Sequence, residues 1–451
     1  MAEHSAVNRR VVGSSPTWGA KEKLDYSGFF ATLFSQLITS ENMPGEVINV
    51  RKKVISRAML FIVLFGIVSL FSDMTHEGAS SIRGAYLSLL GASAGMIGFI
   101  SGLGEMIGYS MRYVFGKITD RTKQYWPMTI LGYVLDIAAV PLLALVGEHG
   151  WIAACILLVV QRMGKAIKKP AKDTIMSFAA SQEGVGKSFG LQEVLDQIGA
   201  FFGPVLLYLV MLFRQDDNMF KAYAVCFAVL AIPGAITLIL LLITRAKFPN
   251  PEQFEPDPKE YVPFKLGKPF LLYIAGISLF AFGFIDYSLI IMHVSKAFTL
   301  SANTFPLLYA GAMLIDAVAA FGFGLLYDRK GIRVLVWSTL VSAPFAILVF
   351  SGNSLPMLLL GILMWGIGMG AQESILKAAV TTMVPKQSRA TGYGIFECSF
   401  GICWFLGSWL LGVLYDISLP AMIAVSLYAQ LAAVPLYLIS SKQMTRNEGS
   451  V

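Results

Sequence analysis

Between residues 57 and 440 the chain is a succession of apolar stretches separated by short polar connections. Each is long enough for a helix of about 20 residues to cross a hydrocarbon core. Over the 451 residues 56% are apolar and 14% charged, against roughly 25% charged in an average soluble domain. Too few polar side chains remain to coat a water-facing globule, so the chain reads as an all-α membrane protein. Twelve spans fit, near 56–84, 92–116, 126–146, 151–176, 188–213, 221–244, 269–296, 304–326, 334–351, 355–381, 391–414 and 421–440. Two polar stretches are left, a head of about 50 residues and a central segment at 245–268. Neither is apolar enough to bury a core, which excludes an ATPase, kinase or sensor domain.

The charges give the orientation. Arg51, Lys52, Lys53 and Arg57 crowd the entry to span 1, and Arg121, Lys123, Lys187, Arg245, Lys247, Arg329, Lys330, Arg333, Lys386, Arg389, Lys442 and Arg446 fall on alternate connections of the same side. The opposite connections carry little beyond Arg214, Lys221 and Lys296. By the positive-inside rule both termini are expected in the cytoplasm, most simply across a bacterial inner membrane. The net charge of +7 follows this sidedness and implies no nucleic-acid partner. Cys155, Cys226, Cys398 and Cys403 lie inside apolar spans without CxxC spacing and read as small hydrophobes, not as disulfide or metal ligands.

Gly116-x3-Asp120-Arg121 recurs as Gly324-x3-Asp328-Arg329, 208 residues on. Asp73 is answered by Asp286, and Glu193 by Glu397. Two homologous six-helix halves, 51–244 and 269–440, joined by a cytoplasmic linker at 245–268 and followed by a tail at 441–451, are the simplest account. The head at 1–50 reads as disordered. Its residues 12–16 are what one frame of a transfer-RNA T-arm would encode, which raises Met43 as an alternative start; intact mass of native material decides.

Gly324-x3-Asp328-Arg329-Lys330-Gly331-Ile332-Arg333 resembles the signature loop of the major facilitator superfamily, G-x3-D-R-x-G-R-R. The first-half copy keeps Gly116, Asp120 and Arg121 but has Lys123 in place of the glycine. The resemblance implies two pseudo-symmetric six-helix bundles around a central cavity, with these loops acting as gates as the halves rock. In span 5, Gly190-x8-Gly199-x3-Gly203-Pro204 partly resembles the glycine-proline signature of the superfamily's antiporters. Glycines four apart let helices approach closely and a proline removes a backbone bond, so the segment reads as a bending element or simply as close packing.

An ionisable group at membrane depth is a functional candidate by default. Asp73 lies 16 residues beyond Arg57, about 24 Å along a helix, with Glu77 one turn further on. Asp73, Glu77 and Asp286 are candidates for proton coupling or substrate contact, and the resemblance sets Asp286 on a cavity-lining helix. In span 4, Arg162, Lys165, Lys169 and Lys172 share a face. Arg162 and Lys165 are cavity candidates, whereas Lys168, Lys169 and Lys172 are expected to snorkel to the surface. Glu193, Asp196 and Glu397 are candidates for an inner gate, or for helix-start acids favoured by the dipole. Glu105, Arg112, Asp136, Asp316, Glu373 and Lys377 have no partner assignable from sequence.

Gly186-Lys187-Ser188 lacks the first glycine and the strand of a P-loop, and Gly91-x-Ser93-x-Gly95 falls in a turn between helices, so no catalytic set is found. The expected function is secondary active transport of a small solute by alternating access. It is expected to be proton-coupled, to favour efflux, and to need no cofactor or metal beyond a proton gradient. The expected partners are solute, protons and lipid, and the expected state is a monomer. Import of an organic anion on the basic face of span 4 is one alternative, and a non-transporting receptor or scaffold another.

Overall fold

The computed structural model describes residues 56–448 apart from 184, 215–217, 255–266, 353 and 385–388. The head, with the possible start at Met43, and most of the linker lie outside the described residues. Among the described residues the regular elements are all helical. Span 1 is Arg57–Leu89, span 2 Ala94–Thr122, span 3 Tyr125–Leu142, span 4 Trp151–Glu183, span 5 Val185–Phe213, span 8 Thr304–Lys330, span 10 Leu355–Met383, span 11 Arg389–Ile417 and span 12 Leu419–Glu448. The other three are broken: span 6 into Met219–Val229 and Ala231–Lys247, span 7 into Lys268–Gly283 and Tyr287–Ala297, span 9 into Arg333–Ser342 and Phe345–Ser351.

The breaks have local causes. Pro233 has no N–H to offer the Val229 carbonyl, and Pro344 none for Leu340, so spans 6 and 9 are interrupted just before these positions. Span 7 breaks without proline. There Asp286 caps the second helix, its carboxylate accepting the Ser288 N–H at 2.8 Å.

Among the described residues, ten helical segments are long and apolar enough to cross a membrane, and spans 2 and 4 are not among them. Both carry charges that would be costly against lipid, and these two spans pack against each other. Span 4 also lies against spans 1, 3 and 5, and span 2 against span 11.

The neighbours obey the repeat. Span 1 packs on 5 and 6 as span 7 packs on 11 and 12; span 4 packs on 2 and 3 as span 10 packs on 8 and 9. The halves meet where span 2 contacts span 11, span 5 contacts span 8, and span 1 contacts the second half of span 7. At that last crossing a Cβ on Gly84 would fall 1.8 Å from the Ser288 carbonyl oxygen, so only glycine admits this approach. The odd-to-even connections, such as 89–94, share one end of the bundle, called the far end; the even-to-odd connections share the other, the linker end.

The repeated Gly-x3-Asp-Arg segments are helical rather than looped. They form the last turns of spans 2 and 8, and the turns themselves are short. Lys123 (φ 55°, ψ 19°) and Gly331 (φ 59°, ψ −148°) close them, 208 residues apart and both at positive φ. The lysine sits in the left-handed helical region, whereas the glycine combines positive φ with an extended ψ that only glycine readily adopts, so the two turns close differently.

Candidate functional site

One face of span 1 carries Ser69, Ser72, Asp73, His76 and Glu77 at three- and four-residue spacing. Span 4 runs past it in the opposite direction, so partners stay level as one sequence rises and the other falls. The Lys172 ammonium donates to Ser69, and that of Lys168 to Ser72 at 2.9 Å. Lys165 Nζ lies 3.3 Å from His76 Nε2, and the Gln161 amide 2.7 Å from His76 Nδ1.

Flanking spans complete the layer. Lys168 Nζ is 2.5 Å from Asp136 of span 3 and 4.0 Å from the Tyr133 ring centroid. Arg162 is 2.6 Å from Glu105 of span 2. Lys172 is 4.0 Å from Asp196 of span 5. Small residues bring these acids in: a Cβ on Gly164 would meet the Asp136 nitrogen at 2.5 Å, and Cβ atoms on Gly199 and Gly203 would meet the Leu70 and Met74 carbonyl oxygens at 2.2 and 2.3 Å. Span 5 is otherwise a continuous helix through Pro204, and nothing lies within 4 Å of a Cβ on Gly190.

Lys168 and Lys172, expected to snorkel, are instead 6% and 5% exposed. A carboxylate and a serine hydroxyl at their own level hold them inside, which compensates the loss of water. Lys169 alone takes the surface position, 3.7 Å from Asp173. Asp73 differs from its neighbours. It is only partly buried, faces Lys165, Lys168, Lys172 and Asp196, and makes no hydrogen bond or ion pair among the described residues.

The two acids matched by the repeat do not meet. Asp286 lies 3.6 Å from Arg83, whose guanidinium also donates to Ser288 Oγ at 3.0 and 2.9 Å. Arg83 is ten residues past Asp73 in span 1, about 15 Å of helix. Asp286 therefore belongs to a contact between the halves toward the far end. Nearby, Tyr309 of span 8 donates to Glu77 at 2.5 Å, and Asp416 of span 11 accepts the N–H groups of Ala94 and Gly95 at 3.3 and 2.8 Å.

Toward the linker end, Glu397 meets Arg112 across the halves at 3.2 Å. Asp196 pairs within its own half, and Glu193 sits half-buried on span 5 one turn before it. Gly116, Arg121, Gly324, Arg329 and Arg333 stand at the helix ends, with Arg121 and Arg329 exposed; the side chains of Asp120 and Asp328 lie outside the described ones. Sequence reasoning passed over Arg83, Gln161 and Tyr309. The first falls at the edge of an apolar run and reads as a boundary, and the others carry no charge to mark them.

The Major Facilitator Superfamily profile matches residues 54–289 and 271–449. The chain is 36% identical over 383 residues to an uncharacterised protein of Mycobacterium tuberculosis, covering 84% of this chain and 92% of the relative. It is 26% identical over 373 residues to an uncharacterised MFS-type transporter of Methanocaldococcus jannaschii, covering 79% and 89%. Among solved structures, an inward-facing, unoccupied bacterial homologue of the human lysosomal transporter Spinster superposes with a TM-score of 0.64 at 15% identity, over 86% of this chain and 96% of the other. A D-xylose-proton symporter does so with a TM-score of 0.65 at 13% identity, over 84% and 96%. Profile matches over both halves and relatives aligned across most of their length establish that the chain belongs to the Major Facilitator Superfamily.

Proposed function

We propose that this transporter moves a small solute by alternating access coupled to protons, with Asp73 carrying the proton. The observation that supports this is the contrast between Asp73 and its surroundings. Arg162, Lys168 and Lys172 each have a carboxylate partner, whereas Asp73 has no ion-pair partner among the described residues and is only partly buried. Beside these paired cations, protonating a carboxylate that makes no ion pair among the described residues changes the balance by a whole charge at low dielectric. That change links the proton to whatever solute occupies the same space.

Outward movement is favoured by the partial antiporter resemblance of span 5. The setting is a cell membrane with both termini cytoplasmic, the protein acting as a monomer without a cofactor and driven by the proton gradient. A thermal-shift screen of the purified protein against metabolites and drugs, at two pH values, identifies a solute. Proteoliposomes loaded with a pH dye then test coupling: solute addition should move protons in the wild type and not in Asp73→Asn. Solute flux that ignores a pH gradient in both proteins rejects coupling.

A second reading, transport of an organic anion, shifts from Arg162 to Lys165. Arg162 is held by Glu105, while Lys165 has no carboxylate within 4.0 Å among the described residues. Solute binding lost in Lys165→Gln and kept in Asp73→Asn, with competition by carboxylates, would favour it.

A further inference from the structure

We propose that the hollow at the linker end between span 8, span 9 and span 12 is a binding site for the phosphate headgroup of an anionic glycerophospholipid from the adjoining leaflet. This is independent of the proton-coupled reading and uses none of the residues around Asp73. The hollow has a volume of about 730 Å³ and is lined by Arg329, Lys330, Arg333 and Lys442, with no acidic residue in its lining. None of the four cations has a carboxylate partner among the described residues. Arg333 is oriented by its Nε, which donates to Ser441 Oγ at 3.2 Å, and its terminal nitrogens make no hydrogen bond among the described residues. Four like charges converging without a counter-charge among the described residues repel one another, and an anion relieves that repulsion.

The apolar part of the lining selects the kind of anion. Trp337 and Leu438 border the same hollow and are 58% and 41% exposed. A tryptophan beside a basic cluster at the end of membrane spans is placed for a headgroup above and acyl chains below. A soluble anion would use the cations and leave these two side chains idle.

The internal repeat supplies the contrast. The equivalent corner of the first half lies between the start of span 3 and the end of span 6, and there the chain fills it. Tyr125 stands 208 residues before Arg333, and Trp126 is 6% exposed with its indole N–H on the Phe248 carbonyl at 3.1 Å. Phe61, Phe65 and Phe254 join the Trp126 and Phe248 rings in one cluster. One copy of the corner is plugged by aromatic side chains; the other is open, cationic and edged with exposed apolar groups.

The test uses the full-length protein delipidated in neutral detergent, with retained lipid counted by native mass spectrometry. Dioleoyl phosphatidylglycerol should be retained in preference to dioleoyl phosphatidylcholine. Arg333→Gln/Lys442→Gln should weaken retention of the glycerol lipid about thirtyfold, as expected for two basic groups at a membrane surface. Lys123→Gln/Arg245→Gln, which removes the same charge from the linker end of the first half, should leave it unchanged. If the first pair fails to fold, Trp337→Ala, which keeps all four cations, should still weaken retention severalfold. Equal retention of the two lipids, equal losses in both charge pairs, an unaffected Trp337→Ala, or displacement of the lipid by millimolar inorganic phosphate would each overturn the proposal, the last in favour of a soluble anion.

Discussion

Asp73 and Lys168 illustrate two fates of a charge at membrane depth. Lys168 is locked between Asp136 at 2.5 Å and Ser72 at 2.9 Å. Removing only its counter-ion, in Asp136→Asn, strands a buried ammonium and should cost about 3–5 kcal/mol of stability in chemical denaturation. Asp136→Leu/Lys168→Met, which removes both charges, should recover most of that loss. Asp73→Asn breaks no hydrogen bond or ion pair among the described residues and should leave the unfolding midpoint close to wild type. At the turns the arithmetic is backbone strain. Lys123 holds φ at 55° in the left-handed helical region, where a side chain costs about 1 kcal/mol or more, so Lys123→Gly should raise stability by up to about 1 kcal/mol; Gly331 pairs φ 59° with ψ −148°, so Gly331→Ala should lower stability by about 1–3 kcal/mol. Asp73, Glu77, Arg162 and Lys165 were legible because a charge stands out in an apolar run. The pairings were not, since Glu105 beside Arg162, Tyr309 beside Glu77 and His76 beside Lys165 lie on other spans and pairing depends on rotation and level, which one-dimensional spacing does not fix.

Spans 1 and 5 meet through glycines, and that contact positions Asp196 near Asp73. Gly203→Val places a side chain where a Cβ would already be 2.3 Å from the Met74 carbonyl oxygen. The expected cost is about 1–3 kcal/mol or more, read as a lower melting temperature in detergent. The same substitution at Gly190, where no atom lies within 4 Å, should be tolerated. The stripe Gly199-x3-Gly203 was legible as close packing or bending, and the uninterrupted helix through Pro204 supports packing. Span 4 was harder to read. Its lysines looked like a surface face because snorkelling is the usual outcome for a long cationic chain, but acids on spans 3 and 5 hold two of them inside. Span 7 concealed its break for a different reason: no proline marks it, and the signal is Asp286 acting as a cap.

The architecture of the whole molecule was the most legible feature, because twelve apolar runs and a 208-residue repeat constrain the fold strongly. What the sequence left open is where the halves touch. Toward the far end they are joined by Arg83 with Asp286, Tyr309 with Glu77, and Asp416 with the start of span 2. Asp286→Asn keeps the helix cap, since asparagine caps as well as aspartate, but removes the charge facing Arg83. On a background with the four native cysteines replaced, a cysteine at Ile291, buried against Gly84, should then react with maleimide several times faster than in the otherwise unchanged protein. An unchanged rate would mean that this pair does not hold the halves together. The link between a proton on Asp73 and solute binding has a more direct test. Purified protein in unbuffered detergent is titrated with the solute found by thermal shift while proton exchange with the medium is recorded: the wild type should exchange protons on binding and Asp73→Asn should bind without exchanging any. Equal proton exchange by the two proteins would contradict the claim.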